Sequence, residues 1–192
     1  MIKRLFDIVA SFFGIILLSP VLLAIAVLIK IRMPGPVLFR QIRAGRHGKP
    51  FSICKFRTMT LNHNGNTISV KGESRITPLG AILRKYKLDE LPELWNVLKG
   101  DMSFVGPRPD MPEYLSRLFG EDKQILELRP GITGPATLVY ANEEEILASV
   151  SDPRKHNDEI LWPDKVRMNL EYYQNHSFIG DLKIILRTIF KR

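Results

Sequence analysis

The sequence predicts an α-rich α+β protein in two parts, a membrane-associated helical segment over residues 1–33 and a compact domain over residues 34–192. Three observations predict it. Residues 8–29 carry no charge and are filled with Ile, Leu, Val, Phe and Ala. The run stops hard at Met33-Pro34-Gly35-Pro36. The remainder is punctuated by helix-start and turn signals at the spacing of one domain of ordinary size.

At 1.5 Å per residue the uncharged run makes a helix of about 33 Å, close to the ~30 Å hydrocarbon thickness of a bilayer. A soluble core helix rarely stays apolar on every face for that length. A cleaved signal peptide would end in a small-residue cleavage site, whereas this run passes into Lys30-Ile31-Arg32. Pro20 lies inside the run and leaves the carbonyl of Ile16 without its donor, a defect of about 3 kcal/mol that Ser19 can relieve locally. Lys3 and Arg4 precede the run and Lys30 and Arg32 follow it, so both flanks favour the cytoplasmic side. Each arm around Ser19-Pro20, about eleven residues, reaches ~16 Å, half the hydrocarbon core. A re-entrant helical hairpin fits these facts; a proline-kinked single span is the alternative.

In the body, residues 37–41 and 50–55 read as the two strands of a small β-hairpin. Residues 60–76 are polar and rich in Asn and Gly, a loop. Thr77-Pro78 starts a helix with Leu79, Ile82, Leu83 and Tyr86 on one face. Asp89-Glu90-Leu91-Pro92 starts another, ending at Lys99-Gly100. A proline-rich loop follows over 101–113, a short helix over about 111–127, and a Pro/Gly turn at 129–135. Residues 166–174 and 179–191 read as helices. The last has Ile179, Leu182, Ile185, Leu186 and Ile189 on one side, suited to a membrane surface or to the core.

The formal net charge is +8, and ten of the Lys and Arg residues fall within residues 1–60 against the single acid Asp7. Such a surface attracts anionic lipids, nucleic acid or phosphorylated substrates. No nucleic-acid-binding motif accompanies it, and the cations surround a bilayer segment, so a nucleic-acid partner is not expected. The lone Cys54 excludes an internal disulfide framework.

Candidate chemistry lies in Asp89 and Glu90 at a helix start, where the helix dipole favours negative charge, and in Arg108 and Arg129, both fixed beside prolines. Arg84 lies five residues upstream of Asp89. A guanidinium fork suits phosphate oxygens. Each feature alone also reads as an ordinary cap or a stiff surface loop. Together they point to phosphoryl transfer assisted by a divalent metal.

The runs Lys55-Phe56-Arg57-Thr58-Met59, Arg75-Ile76-Thr77-Pro78-Leu79-Gly80, Leu88-Asp89-Glu90-Leu91-Pro92-Glu93-Leu94-Trp95-Asn96 through Gly106-Pro107-Arg108-Pro109, and Arg129-Pro130-Gly131-Ile132-Thr133-Gly134 resemble the bacterial sugar transferase family, the small monotopic phosphoglycosyl transferases. The resemblance covers nearly the whole chain and implies a Mg²⁺-dependent transfer of a sugar-1-phosphate from a UDP-sugar donor to undecaprenyl phosphate. The products are UMP and a lipid diphosphosugar, in the first membrane step of a bacterial glycan pathway. It implies Asp89 as nucleophile in a ping-pong cycle through an aspartyl-phosphosugar, and Glu90 as metal ligand or proton manager, with Asp89 sharing the metal site. Lys55, Arg84, Arg108 and Arg129 match cationic positions that bind substrate phosphates. Ser19-Pro20 matches the family's helix-breaking pair, which implies a monotopic protein on the cytoplasmic face of the inner membrane, among membrane lipids. A homo-oligomer is compatible with the sequence. Residues 135–165 depart from the commoner pattern and are expected to line the sugar pocket.

Overall fold

The computed structural model describes residues 1–61 and 75–190, so most of the expected loop over 60–76 lies outside the described residues. Its edges are joined, Thr60 N–H donating to the Arg75 carbonyl at 3.0 Å.

Helix α1 runs from Ile2 to Arg32 with Pro20 inside it. The helix is not interrupted at Ser19-Pro20. Instead the Ser19 hydroxyl donates to the Ile16 carbonyl at 2.7 Å, the acceptor that proline leaves unsatisfied. Burial is confined to the two ends, at Asp7 and Ser11 and at Ile25 and Ile29, whereas Phe13, Leu17 and Leu23 in the middle are more than 60% exposed. Both ends are clasped by the same body. At the first end, Lys3 Nζ donates to the Val105 carbonyl at 2.8 Å and pairs with Asp181 at 2.5 Å. Arg4 donates to the carbonyls of Val97 and Leu98 at 2.6 and 2.9 Å, and Asp7 accepts from the Phe104 N–H at 3.2 Å. At the other end, Ile25, Ile29 and Met33 pack against Phe56 and Leu83, and Arg57 donates to the carbonyls of Met33 and Pro34 at 2.5 and 2.9 Å.

Strands β1 (Leu38–Ala44) and β2 (Pro50–Phe56) form the expected antiparallel hairpin, with Phe39 opposite Lys55 and Arg43 opposite Phe51. Each extends past the predicted ends. Helix α2 (Pro78–Lys85) starts as predicted, the Thr77 hydroxyl accepting from the Gly80 N–H at 3.0 Å. Leu79 and Leu83 pack inward, but Ile82 and Tyr86, expected on the same face, are 55% and 51% exposed. Helix α3 (Glu93–Lys99) is sewn to β2 through Asn96, which accepts from the Cys54 N–H at 3.0 Å and donates to the Ser52 carbonyl at 2.8 Å. Phe51, Ile53, Val97 and Met102 make the core between them.

The loop over 101–113 contains an unforeseen strand, β3 (Ser103–Val105), parallel to β4 (Gly131–Thr133). A Cβ on Gly106 would lie 2.2 Å from the Arg129 carbonyl oxygen, so this crossing admits only glycine there. The helix expected near 111–127 is two 3₁₀ segments, Pro112–Arg117 and Gly120–Glu127. Short helices α4 (Pro135–Val139), α5 (Glu143–Ala148) and α6 (Pro153–His156) follow. A π-helical turn over Asn157–Leu161 leads into α7 (Trp162–Asn175), which packs Val166 on Leu118 and Ile125. Helix α8 (Phe178–Phe190) turns the buried Asp181 toward the body and leaves Ile179, Leu186, Ile189 and Phe190 exposed. The expected apolar stripe is therefore split, and its outer half faces away from the protein.

Candidate active site

Asp89 and Glu90 do not sit in the first turn of α3, as the sequence suggested. Lys87, in the left-handed region at φ 55°, ends α2 and turns the chain into a separate 3₁₀ turn over Leu88–Glu90; α3 begins only at Glu93. The dyad is thus held by a tight turn between two helices, facing β2 and the loop after β3.

Glu90 is the hub. Its Oε1 receives Lys55 Nζ at 2.7 Å and Arg108 Nη2 at 2.9 Å. Burial alone would raise its pKa, but Arg108, Lys55 and Lys87 outweigh it and hold the carboxyl well below the usual range. Arg108 is raised in turn, chiefly by Glu90. Lys55 also lies 3.1 Å from Glu93, a third carboxylate, 2% exposed. Burial pushes the Glu93 pKa up to about 7, with Lys55 opposing and Glu90 adding to the rise. Glu93 was not among the residues that the sequence pointed to. The available signal was its position three residues after Glu90 and four after Asp89, the separations at which helical side chains share a face.

Asp89 is 8% exposed, and its Oδ1 is buried without a hydrogen-bond partner among the described residues. Burial raises its pKa, and Glu90 raises it further; Lys55, Arg84 and Lys87 pull it back toward the charged form. An orphaned buried carboxylate oxygen carries a cost of about 1–3 kcal/mol, more for a charge, unless something fills its lone pairs. No group of three or more His, Cys, Asp or Glu side chains able to hold a metal ion occurs among the described residues. Mg²⁺ needs no such cage, because it is commonly held by one or two carboxylates and completed by water and substrate phosphates. Asp89 Oδ1 fits that donor set; Glu90 Oε1 is already committed to two cations.

Of the four predicted phosphate-binding cations, Lys55 and Arg108 meet on Glu90. Arg84 reaches toward Asp89 from the last turn of α2 but is paired with Glu144 of α5. Arg129 lies elsewhere: its Nε donates to the Gly100 carbonyl at 3.0 Å, and the charges acting on it are Arg4, Arg46 and Asp7. There it joins Arg4 in satisfying the carbonyls at the C-terminal end of α3, a role that opposes helix-end charge and needs no ligand. Arg43, not foreseen, donates to Gln41 Oε1 at 2.6 Å and to the Pro109 carbonyl at 3.4 Å, bracing the turn that carries Arg108.

A helix long and apolar enough to cross a membrane is clasped at both ends by a body that sets a carboxylate dyad among cations, the class of protein that pairs an apolar helix with a charged site. Comparison with known proteins places it: the chain belongs to the bacterial sugar transferase family, which it matches over residues 1–192. It is 38% identical to a Bacillus subtilis (strain 168) protein described as uncharacterized sugar transferase EpsL, over 99% of this chain and 86% of that protein. It is 40% identical to the UDP-glucose:undecaprenyl-phosphate glucose-1-phosphate transferase of Caulobacter vibrioides, over 97% of this chain and 68% of that enzyme. It is 38% identical to the UDP-N-acetylgalactosamine-undecaprenyl-phosphate N-acetylgalactosaminephosphotransferase of Aeromonas hydrophila, over 98% of this chain but 43% of that longer protein.

Proposed function

We propose that this protein is a Mg²⁺-dependent phosphoglycosyl transferase that moves a sugar-1-phosphate from a UDP-sugar to undecaprenyl phosphate through a covalent intermediate on Asp89. One observation carries the reading: Asp89 keeps a buried carboxylate oxygen with no partner among the described residues, beside a Glu90 whose own charge is neutralised by Lys55 and Arg108. The names of the Caulobacter and Aeromonas relatives support the donor and acceptor classes.

In this mechanism a carboxylate oxygen of Asp89 attacks the donor phosphorus that bears the sugar. The bond from that phosphorus to the bridging oxygen breaks, and UMP leaves with the oxygen. A phosphate oxygen of undecaprenyl phosphate then attacks the same phosphorus. The aspartyl O–P bond breaks, and the carboxylate is restored. Bound Mg²⁺ supplies charge neutralisation of the diphosphate. Arg108 and Lys55 keep Glu90 ionised and offer donors toward incoming phosphates, and Arg84, which acts on Asp89 from the last turn of α2, offers another to the donor diphosphate. Burial disfavours the charged form of Asp89, which leaves its carboxylate poorly solvated and more reactive once the cations hold it ionised. The test is UMP release with undecaprenyl phosphate across a panel of UDP-sugars. Release that requires Mg²⁺ and one preferred sugar is expected; no release with any donor would refute the reading.

The membrane arrangement belongs to the same proposal. In the bilayer α1 bends at Ser19-Pro20, where proline removes a backbone hydrogen bond, so that it enters the cytoplasmic leaflet and returns, monotopic, with that bend among lipid tails. The support is that both its ends bury against one body while its middle exposes Phe13, Leu17 and Leu23. Exposed Ile82, Tyr86, Trp95, Ile179, Leu186 and Ile189 extend an apolar surface for the interface. Single cysteines placed at residues 2 and 32 of a C54S chain are expected to label equally from the cytoplasmic side and from neither side at residue 19. Labelling of residue 2 from the opposite side alone would demonstrate a full span.

A further inference from the structure

Three of the cations around the Asp89–Glu90 dyad, Lys55, Arg108 and Arg84, are already paired with carboxylates of the protein itself, and the pairs differ in kind. Lys55 and Arg108 bind Glu90, whose side chain is 11% exposed and locked between them. Arg84 binds Glu144, whose side chain is 39% exposed and comes from α5, sixty residues away in the chain. A locked internal counter-ion is part of the site's framework. An exposed one is a competitor for whatever anion the cation serves.

Resting on the donor-binding role proposed for Arg84, we infer that Glu144 is an affinity-setting residue, an internal carboxylate that occupies Arg84 until the diphosphate of the nucleotide donor displaces it. The backbone of α5 need not move for this. Leu147 is 2% exposed and pins the helix to the body, and Lys165 Nζ holds Glu143 Oε1 at 2.5 Å. Rotation of the Glu144 side chain into solvent suffices, and the side chain already borders it. The two ligands are chemically alike in what Arg84 sees, since carboxylate and phosphate oxygens both accept the guanidinium fork, but a diphosphate brings more charge and several acceptors. The donor therefore wins at a cost in affinity equal to the Arg84–Glu144 pairing. Glu143, Glu144 and Glu145 stand in sequence on this helix, and Glu143 also acts on Arg108. Displacement leaves Glu144 unneutralised beside an anionic donor, so the same residue penalises bound product after transfer and favours its departure.

Partly exposed ion pairs of this kind hold within about a factor of five. The experiment is calorimetric binding of UDP, with Mg²⁺, to the full chain in lipid nanodiscs. Glu144→Gln is expected to bind UDP about three- to fivefold more tightly than the unaltered protein. Glu171→Gln, an exposed charge change on α7, is expected to leave binding as it was. In an Arg84→Ala background Glu144→Gln is expected to have no effect, which separates competition for Arg84 from a general change of charge. Unchanged or weaker UDP binding by Glu144→Gln overturns the inference, as does an equal gain in the Arg84→Ala background. Absence of UDP binding by the unaltered protein overturns the donor-site reading and the competition with it, an outcome distinct from normal binding that ignores Glu144.

Discussion

Asp89→Asn is expected to yield a folded protein that releases no UMP, with turnover lower by at least about 10³-fold, in line with removal of a covalent nucleophile. The change is isosteric and keeps an oxygen or nitrogen at each carboxylate position, so the 3₁₀ turn over Leu88–Glu90 has no reason to move. Stability should hold or rise. The folded pKa of Asp89 is raised by burial and by Glu90, so ionising it costs stability as pH climbs through that pKa, and the neutral amide is spared the cost at neutral pH. Loss of activity together with an equal or higher melting temperature separates a chemical role from a structural one. Incubation with donor labelled in the sugar-phosphate should leave label on the unaltered chain and none on Asp89→Asn. Substantial turnover by the variant would remove Asp89 from the mechanism.

The parts of this molecule that follow local rules were legible in the sequence. The uncharged run over 8–29, the Thr77-Pro78 start of α2, the Gly100 end of α3 at φ 100° and the β1–β2 hairpin each depend on a few neighbouring residues. Ser19 serving the carbonyl freed by Pro20 is local too. What escaped depends on distant partners. The β3–β4 pair joins three-residue segments that are 28 positions apart, too short to show a period. Arg129 is fixed beside Pro130 as expected, yet the rigid loop aims it at the α3 carbonyl end, because β4 runs beside β3 there. Asp89 and Glu90 carry the acidic signature of a helix start, but Lys87 in the left-handed region inserts a separate turn before α3. The Arg84–Glu144 pair had no local signal of any kind. It exists only because the fold brings the start of α5 to the last turn of α2.

The largest effect on stability is expected at Lys55, which bridges Glu90 at 2.7 Å and Glu93 at 3.1 Å with its own side chain 19% exposed. Lys55→Met keeps most of the aliphatic stem and removes the charge, leaving Glu90 paired with Arg108 alone and Glu93 without its ion-pair partner, with the more distant Arg108 still acting on it. Stranding a buried charge costs about 3–5 kcal/mol. Protonation of Glu93 is the escape, and this sets the pH dependence. In the unaltered protein the folded pKa of Glu93, about 7, stands above its ordinary 4.5, so its contribution is complete below pH 4.5 and is lost as pH rises toward 7, by up to about 3 kcal/mol. Glu90 has the opposite sign: its lowered pKa gives stability that is present above pH 4.5 and lost as pH falls. Removing Lys55 raises Glu93 further. Lys55→Met should therefore be hurt far more at pH 8 than at pH 6, and adding Glu93→Gln should recover most of the pH 8 deficit. Activity should stay low in both variants, because Glu90 loses one of its two counter-ions whichever form Glu93 takes. Denaturation of the protein in detergent at the two pH values decides it. An equal deficit at both, or no recovery with Glu93→Gln, would mean that Lys55 supports the fold by packing and that the buried carboxylate pair is not what it restrains.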